Sequence, residues 1–265
     1  MTRVDLHGAP ETMLATLYAR ALDADALGDG WARDIVARID YDWERTGITA
    51  RNAPGVTLRV RHFDTWARQF LAVHPEAVVL HLGCGLDGRY HRLDPGPGVE
   101  WFDVDYPDVA VLREQFYPPR EHCHIVAASV TDPEWLTTVP ADRPTLILAE
   151  GLTMYLAEAD GVALLRRLVA RFPSGELQFD AFNPLGIALQ WTNTPVRRSG
   201  ATLRWGIRGP ADILDAVPGT RLLAWVPVFE SEGFAGLSAG YRAMAAVMNR
   251  VPGLRTMAQF HRYAF

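Results

Sequence analysis

The sequence predicts a doubly wound α/β fold built on a mostly parallel sheet, and two observations carry this prediction. From residue 77 onward, short apolar runs of strand length alternate with segments of helix length, which is typical of parallel strands joined by crossover helices. The first of these runs leads into a glycine-rich turn, "VVLHLGCGLDGRYHRLDP", in which Gly83, Gly85 and Gly88 have the spacing G-x-G-x-x-G.

The segment before the sheet, residues 10 to about 75, is predicted to be helical. Apolar residues recur at helical spacing in the three stretches 13–22, 31–39 and 56–71. No low-complexity linker separates this segment from the rest of the chain. We therefore expect residues 1–75 to form a helical cap on the sheet within a single domain of residues 1–265.

Five apolar runs predict five strands in series, with an amphipathic helix over residues 160–172 before the fifth strand. These runs are AVVLHLG, VEWFDVD, HCHIVAAS, TLILAEG and GELQFDAF. Residues 76–183 would thus form the core of the sheet. After Asn183 the chain is punctuated by glycine and proline, and a helix is predicted at 239–249. The runs RLLAWVPVF and AQFHRYAF predict an antiparallel hairpin that completes the sheet within residues 184–265.

Composition bounds the possible partners. The chain has 265 residues, of which 49% are hydrophobic, and a formal net charge of -5, which argues against nucleic acid as the main partner. Cys84 and Cys123 are the only cysteines and show no metal-ligand spacing, so we expect reduced thiols, no metal site and a cytoplasmic location. No apolar run reaches the roughly 20 residues of a membrane span, so no membrane partner is expected.

The strand ends predict a ligand site. In an open α/β sheet, ligands bind beyond the carboxyl ends of the strands, so the Gly83 turn, Asp105, Ser129 and Glu150 should converge on one crevice. Asp105 follows the second strand, where a carboxylate can accept hydrogen bonds from both hydroxyls of a ribose. The alternative for Asp105 is a solvated strand end.

Two adenosine-bearing ligands present such a ribose, namely a dinucleotide and S-adenosylmethionine. A dinucleotide needs donors for its pyrophosphate at the start of the following helix, whereas Asp87 places a carboxylate there. The amino-acid tail of S-adenosylmethionine carries an ammonium and a carboxylate, and it needs an acid near the glycine turn and an arginine from outside. Asp87 therefore favours S-adenosylmethionine.

Four segments in this order resemble the leucine carboxyl methyltransferase family, which includes the tetracenomycin-type carboxyl methyltransferases of polyketide biosynthesis. The segments are "VVLHLGCGLDGRYHRL", "VEWFDVDYPDVAVLR", "VAASVTDPEW" and "LILAEGLTMYL". The resemblance covers nearly the whole chain. It implies a Rossmann-like class I methyltransferase fold that uses S-adenosylmethionine, with residues 76–183 as the cofactor-binding core. The cap and residues 184–265 would shape the pocket for the methyl acceptor.

The resemblance also implies roles for single residues. Arg59 would pair with the methionine carboxylate, Glu150 would lie near the ammonium, and Asp105 would bind the ribose. Gly83, with Gly85 and Asp87, would form the loop against the methionine moiety. Ser129 and Val130 would bracket the adenine, in a place where many relatives have aspartate before leucine.

The acceptor predicted by the resemblance is a small molecule, a polyketide or an aromatic acid, methylated on a carboxylate or a hydroxyl. A carboxylate is already nucleophilic at neutral pH, so positioning should dominate, whereas a hydroxyl would need a base. Tyr155 is the predicted catalytic and acceptor-pocket residue; its alternative is packing of a helix on the sheet. Gln178, Asn183 and Arg197 or Arg198 are candidates to orient the acceptor carboxylate, with a solvated loop as the alternative for each arginine.

Two other classes stay open. A nicotinamide-dependent oxidoreductase could use a similar sheet, but Asp87 and the lack of a Tyr-x-x-x-Lys dyad argue against it, since the chain contains no lysine. A catalytically inactive relative could keep the fold and bind the cofactor without transferring a methyl group.

Overall fold

The computed structural model describes residues 1–4 and 6–265. Its strands are β1 (Thr2–Arg3), β2 (Ile39–Asp40), β3 (Val78–Leu82), β4 (Glu100–Asp105), β5 (Cys123–Ala127), β6 (Thr145–Ala149), β7 (Gly175–Phe182), β8 (Arg221–Pro227) and β9 (Ala258–Ala264). Its α-helices are α1 (Ala9–Leu22), α2 (Ala24–Leu27), α3 (Gly30–Arg38), α4 (Ala53–Val73), α5 (Arg89–Leu93), α6 (Pro107–Phe116), α7 (Glu158–Arg171), α8 (Pro184–Ala188), α9 (Thr194–Ser199), α10 (Pro210–Ala216), α11 (Ala239–Met248) and α12 (Pro252–Arg255). Single 3₁₀ turns cover Trp43–Thr46, Glu134–Thr138, Thr153–Tyr155, Gln190–Thr192, Val228–Glu230 and Glu232–Gly236.

The central sheet has the order β5-β4-β3-β6-β7-β9-β8. Strands β3 to β7 are parallel to one another, so the five strands predicted in series are confirmed, as is the doubly wound α/β class. The chain runs outward from β3 through β4 to β5 and then returns to β6 on the other side of β3. This reversal opens a crevice at the carboxyl ends of β3 and β6, where open sheets bind ligands.

Antiparallel pairing of β8 with β9 is confirmed, but the two strands do not form a tight hairpin. Residues 228–257 connect them, and β9 lies between β7 and β8, antiparallel to both. Phe179 of β7 is opposite His261, and Trp225 of β8 is opposite the same residue on its other side. The edge strand β8 therefore joins the sheet only through β9.

Both faces of the sheet are covered, as the near-continuous apolar strands require. All five residues of β3 are buried. Val78, Leu80 and Leu82 point into one core cluster, which contains α7 residues such as Leu168, while Val79 belongs to the opposite cluster with Phe70 of α4. The alternation of side chains along a strand thus places α7 and α4 on opposite faces.

The predicted helical cap corresponds to α1 to α4, and a short parallel pair of β1 with β2 was not predicted. Leu14 and Leu17 of α1 share a core cluster with Leu86, which belongs to the glycine turn after β3. The cap therefore packs directly on that turn. Among the helices of residues 1–4 and 6–265, none has the length and apolarity needed to cross a membrane.

Candidate active site

A cavity of about 430 Å³ lies at the carboxyl ends of the parallel strands. This size is within the range of small-molecule sites. Its wall combines the turns after β3, β4 and β6 with residues of α1, α4 and the start of α9, and with Ala258, Gln259 and Phe260 of β9. Of the predicted site residues, it brings together Arg59, Gly83, Gly85, Asp87, Asp105, Glu150 and Tyr155.

Two of the three glycines in the turn are required by its geometry. Gly83 and Gly85 have φ angles of 61° and 51°, in the left-handed region that favours glycine. A Cβ atom at Gly85 would lie 3.0 Å from the Cβ of Met13 in α1, so the cap leaves no room for a side chain there. Gly88 has a φ of -83° and is not a turn glycine in this sense. The backbone is thus shaped at Gly83 and Gly85 to receive a ligand closely.

Asp105 is fixed at the end of β4 with its carboxylate at the cavity wall. Its Oδ2 accepts from the backbone N–H of Gly85 at 2.7 Å and its Oδ1 accepts from the N–H of Tyr106 at 2.8 Å. Burial raises the pKa of this carboxyl group. Each carboxylate oxygen has a second lone pair, so Asp105 retains two acceptor positions for ligand hydroxyls.

Arg59 reaches the cavity from α4 and carries two acidic partners. Its Nε donates to Glu150 at 2.9 Å and its Nη1 donates to Asp180 at 3.0 Å. Its side chain is 26% exposed. Within residues 1–4 and 6–265, its Nη2 has no hydrogen-bond partner. The guanidinium is held rigidly, with one N–H edge left for a ligand.

Asp180 is a site residue that the sequence reasoning missed. It lies near the end of β7, lines the cavity, and accepts from the backbone N–H of Gly151 at 2.6 Å as well as from Arg59. Burial raises its pKa, and the nearby Glu150 adds to this. The signal in the sequence was a lone acid within the apolar run GELQFDAF.

Glu150 is shared by two arginines. Arg59 donates to its Oε1, and Arg89 of α5 donates to its Oε2 at 2.5 Å. Burial opposes the charge of Glu150, but Arg89 and Arg59 together lower its pKa. Glu150 is therefore a carboxylate at neutral pH, and it forms part of the cavity wall.

Below the glycine turn lies a buried arginine–carboxylate cluster, which consists of Arg20, Arg89 and Arg92 with Asp29, Asp64 and Asp87. Three arginines surround the carboxylate of Asp87. It lies 3.1 Å from Arg92, 3.4 Å from Arg20 and 3.5 Å from Arg89. Burial opposes ionisation of Asp87, yet the three arginines hold its pKa well below its usual range. The structure thus uses Asp87 to anchor the turn, and its contact with the cofactor stays a prediction.

Three residues predicted to contact the acceptor, namely Gln178, Asn183 and Arg197, do not line the cavity. Gln178 is fully buried inside β7, where its Nε2 donates to Glu176 at 2.8 Å. Asn183 caps α8, and its Nδ2 donates to the carbonyl of Gly253 at 2.9 Å. Arg197 is exposed on α9, and its neighbour Arg198 donates to the carbonyl of Glu44. Their polar groups serve the fold or face solvent instead.

Ser129 and Val130 also lie outside the cavity wall. The hydroxyl of Ser129 pairs with that of Thr131 at 2.9 Å, and Val130 is buried in the main core cluster. Their contact with adenine stays a prediction.

Tyr155 lines the cavity from the 3₁₀ turn after β6. Its hydroxyl donates to Oγ1 of Thr12 in α1 at 3.2 Å, across the boundary between the cap and the core. Burial raises its pKa, so its phenol stays protonated. Tyr155 is therefore a hydrogen-bonding residue of the cavity wall, and its contact with the acceptor stays a prediction.

These residues fit S-adenosylmethionine. The turn at Gly83 and Gly85 leaves space for the methionine chain. The carboxylate of Asp105 has acceptors that would suit ribose hydroxyls, and the free N–H edge of Arg59 would suit a carboxylate. The acidic pair of Glu150 and Asp180 next to Arg59 would suit the positive charges of the ammonium and the sulfonium.

The chain is similar in sequence to known methyltransferases. The sequence profile of the leucine carboxyl methyltransferase family matches residues 13–169. The tetracenomycin polyketide synthesis O-methyltransferase TcmP of Streptomyces glaucescens is 44% identical over 266 residues, covering 99% of this chain and 98% of that protein. The S-adenosyl-L-methionine-dependent methyltransferase dpfgK of Gibberella zeae is 36% identical, covering 83% of this chain and 82% of that protein.

Solved structures share the fold. The crystal structure of a protein from Thermobifida fusca superposes with a TM-score of 0.60 at 16% identity, covering 92% of this chain and 93% of that protein. The plantazolicin methyltransferase BamL superposes with a TM-score of 0.50 at 10% identity, covering 97% of both chains.

The family match and the two relatives confirm the predicted enzyme class and cofactor: the chain is an S-adenosylmethionine-dependent methyltransferase. They reject the alternative of a nicotinamide-dependent oxidoreductase. On the residues matched and the identities found, the chain belongs to the leucine carboxyl methyltransferase family.

Proposed function

We propose that this methyltransferase esterifies a carboxylate of a small, largely apolar molecule, a polyketide or an aromatic acid. The acceptor oxygen forms a bond to the methyl carbon while the carbon–sulfur bond breaks, and the sulfur keeps the electron pair. The products are a methyl ester and S-adenosylhomocysteine. The cofactor supplies the electrophilic methyl group; the protein binds, orients and excludes water.

The residues that line the cavity favour a carboxylate over a hydroxyl as the methyl acceptor. His81 is the one histidine that lines it among the described residues, and its Nδ1 is 2.9 Å from Asp103 below the glycine turn. Its Nε2 is 3.4 Å from Nη1 of Arg89. A hydroxyl acceptor would need a base beside the methyl group, whereas a carboxylate needs none. A site whose imidazole is held inside the ion-pair network suits an acceptor that is already ionised.

The cofactor would be held by the residues whose geometry fits it. Arg59 would bind the methionine carboxylate through Nη2, and Asp105 would accept from the ribose hydroxyls. Glu150 and Asp180 would face the ammonium. Tyr155 would position the acceptor, and Ser129 with Val130 would bracket the adenine.

The nature of the acceptor is supported by the relative TcmP, whose name places it in tetracenomycin polyketide synthesis and which matches along nearly the whole chain. Apolar side chains line the cavity from both the cap and the later part of the chain, including Ile48, Val56, Pro195, Val196 and Phe260.

In this proposal residues 1–75 cap the acceptor, 76–183 bind the cofactor, and 184–265 complete the acceptor pocket. The unpaired Cys84 and Cys123 agree with a reaction in the cytoplasm.

Transfer of a labelled methyl group from S-adenosylmethionine tests the proposal. Anthraquinone-2-carboxylic acid and 2-hydroxyanthraquinone serve as matched acceptors, and mild alkali separates the outcomes because it cleaves a methyl ester and leaves a methyl ether. We expect label on the acid that alkali releases. Alkali-stable label on the phenol alone would overturn carboxylate specificity. Binding of S-adenosylhomocysteine with no transfer to either compound would favour a non-catalytic relative.

A further inference from the structure

We propose that Asn193 is a specificity-determining residue that donates a hydrogen bond from its carboxamide Nδ2 to an oxygen of the methyl acceptor. The inference rests on the proposed function, because it concerns the acceptor side of the same cavity. Asn193 lines that cavity, is half-buried, and stands immediately before α9.

The role of Asn193 as a helix cap determines which end of its amide is available. Its Oδ1 accepts from the backbone N–H of Val196 at 3.4 Å, the usual contact of an N-cap side chain. The oxygen thus faces α9. Within the described part of the chain, the Nδ2 of Asn193 has no hydrogen-bond partner. The amide therefore presents two unused N–H donors.

Apolar residues near Asn193 allow its amide donor to distinguish between methyl acceptors. Val196, at the first turn of α9, packs with Met154 and Leu203 in a small apolar cluster, and Phe182 packs against it. Pro195 and Leu156 line the cavity as well. Binding is favoured for an acceptor that offers an oxygen to this donor. Binding is disfavoured for a hydrocarbon that displaces water from the donor without replacing its hydrogen bond.

The other neutral polar side chains on this part of the wall already have partners. Tyr155 donates to Thr12, and Thr12 donates to the carbonyl of Ala9 at 2.6 Å. Gln259 uses both ends of its amide, since its Oε1 accepts from Trp225 at 2.6 Å and its Nε2 donates to the carbonyl of Ile207 at 2.9 Å. The amide N–H groups of Asn193 are therefore available to bind an oxygen of the methyl acceptor and so to select among acceptors.

The acceptor class that follows is an apolar ring system carrying a carboxylate or a ring carbonyl, both of which only accept hydrogen bonds at those oxygens. Anthraquinone-2-carboxylic acid and anthracene-2-carboxylic acid form a matched pair of probes. They share the carboxylate, and only the first has ring carbonyls.

Two substitutions remove the carboxamide N–H donors of Nδ2 while they preserve the cap. Asn193→Asp keeps the size and the capping oxygen, and Asn193→Ser keeps a capping hydroxyl, because aspartate, serine and asparagine cap helices comparably. The affinity of the protein saturated with S-adenosylhomocysteine for each probe is measured by calorimetry, alongside kcat/KM for methyl transfer. The affinity for S-adenosylhomocysteine and the melting temperature serve as controls and should stay unchanged.

We expect both variants to lose about tenfold or more in affinity and in kcat/KM. The assignment uses Asn193→Ser, because Asn193→Asp adds a negative charge that repels both carboxylate probes. In Asn193→Ser, a loss confined to the anthraquinone probe assigns Asn193 to a ring carbonyl, and an equal loss with both probes assigns it to the carboxylate. Unchanged affinity for both probes in both variants would overturn the inference. Because binding is measured apart from transfer, an absence of transfer by the wild type would count against the proposed function and not against Asn193.

Discussion

Arg89 is completely buried, and its Nη2 donates to Glu150 at 2.5 Å, which ties the start of α5 to the end of β6 beneath the cavity. Its Nε donates to Asp64 of α4 at 2.8 Å. A buried guanidinium with carboxylate partners on both sides is stable only while both remain, because its desolvation is offset by their charges. The floor of the site therefore depends on charge balance.

We expect Glu150→Gln to lower the free energy of unfolding by about 3–5 kcal/mol, because it leaves the buried Arg89 and the half-buried Arg59 facing a neutral amide. Urea unfolding at neutral pH measures this. Glu100→Gln is the control, since Glu100 is a partly exposed carboxylate at the start of β4 whose partners are His122 and His124. Its loss should stay near or below about 1 kcal/mol. Similar losses in both variants would contradict the importance of burial.

Arg59→Ala should weaken binding of S-adenosylhomocysteine by about 1.5–3 kcal/mol, because it deletes a charged hydrogen bond to the methionine carboxylate. Calorimetry measures the change. Arg61→Ala is a matched control from the same helix, since Arg61 pairs with Asp23 and does not line the cavity. Equal affinity in wild type and Arg59→Ala would show that another cation holds the carboxylate.

The stability of the protein should fall as the pH drops from about 6.5 toward 4, partly because of His62. Burial lowers the pKa of His62 from 6.5 to about 4 in the folded state. The unfolded chain then binds a proton that the folded chain does not, so the contribution is fully present above pH 6.5 and is lost on acidification. Each such histidine accounts for up to about 1.4 kcal/mol per pH unit.

His62→Phe should therefore flatten the dependence of unfolding free energy on pH between 6 and 5 by about 1 kcal/mol per pH unit. Phenylalanine can keep the stacking on Phe260, whose ring centroid lies 4.3 Å away. Trp66→Phe alters the same aromatic group without a titrating atom and should lower stability while the slope persists. An unchanged slope in His62→Phe would exclude His62 as a source of the pH dependence.

The sequence predicted the parts of the site that follow from strand ends. Gly83, Asp105 and Glu150 each follow a buried apolar run, and parallel strands bring such positions to one edge. Gln178 and Asp180 show the limit of this reasoning. Both lie on the same face of β7, but Asp180 is one repeat closer to the carboxyl end and reaches the cavity, whereas Gln178 stays inside the sheet.

Distant partners could not be read from the sequence. The sequence predicts that Asp87 repels a pyrophosphate. Arg20, Arg89 and Arg92 neutralise the charge of Asp87, so this residue alone does not exclude a dinucleotide. Asn183 does not line the cavity, and its amide caps α8 and donates to the carbonyl of Gly253. Local pattern predicts strands and turns, whereas the pairing of side chains depends on the tertiary fold.

The insertion of β9 between β7 and β8 makes the place of β8 in the sheet depend on a strand that follows it in the chain. Strand β8 precedes β9 in the sequence, yet it has no hydrogen-bonding neighbour until β9 is in place. The turns after β3, β4 and β6 need neither strand, so the half of the cavity that faces the cofactor can form early. The half lined by Ala258, Gln259 and Phe260 is complete only when β9 has paired with β7.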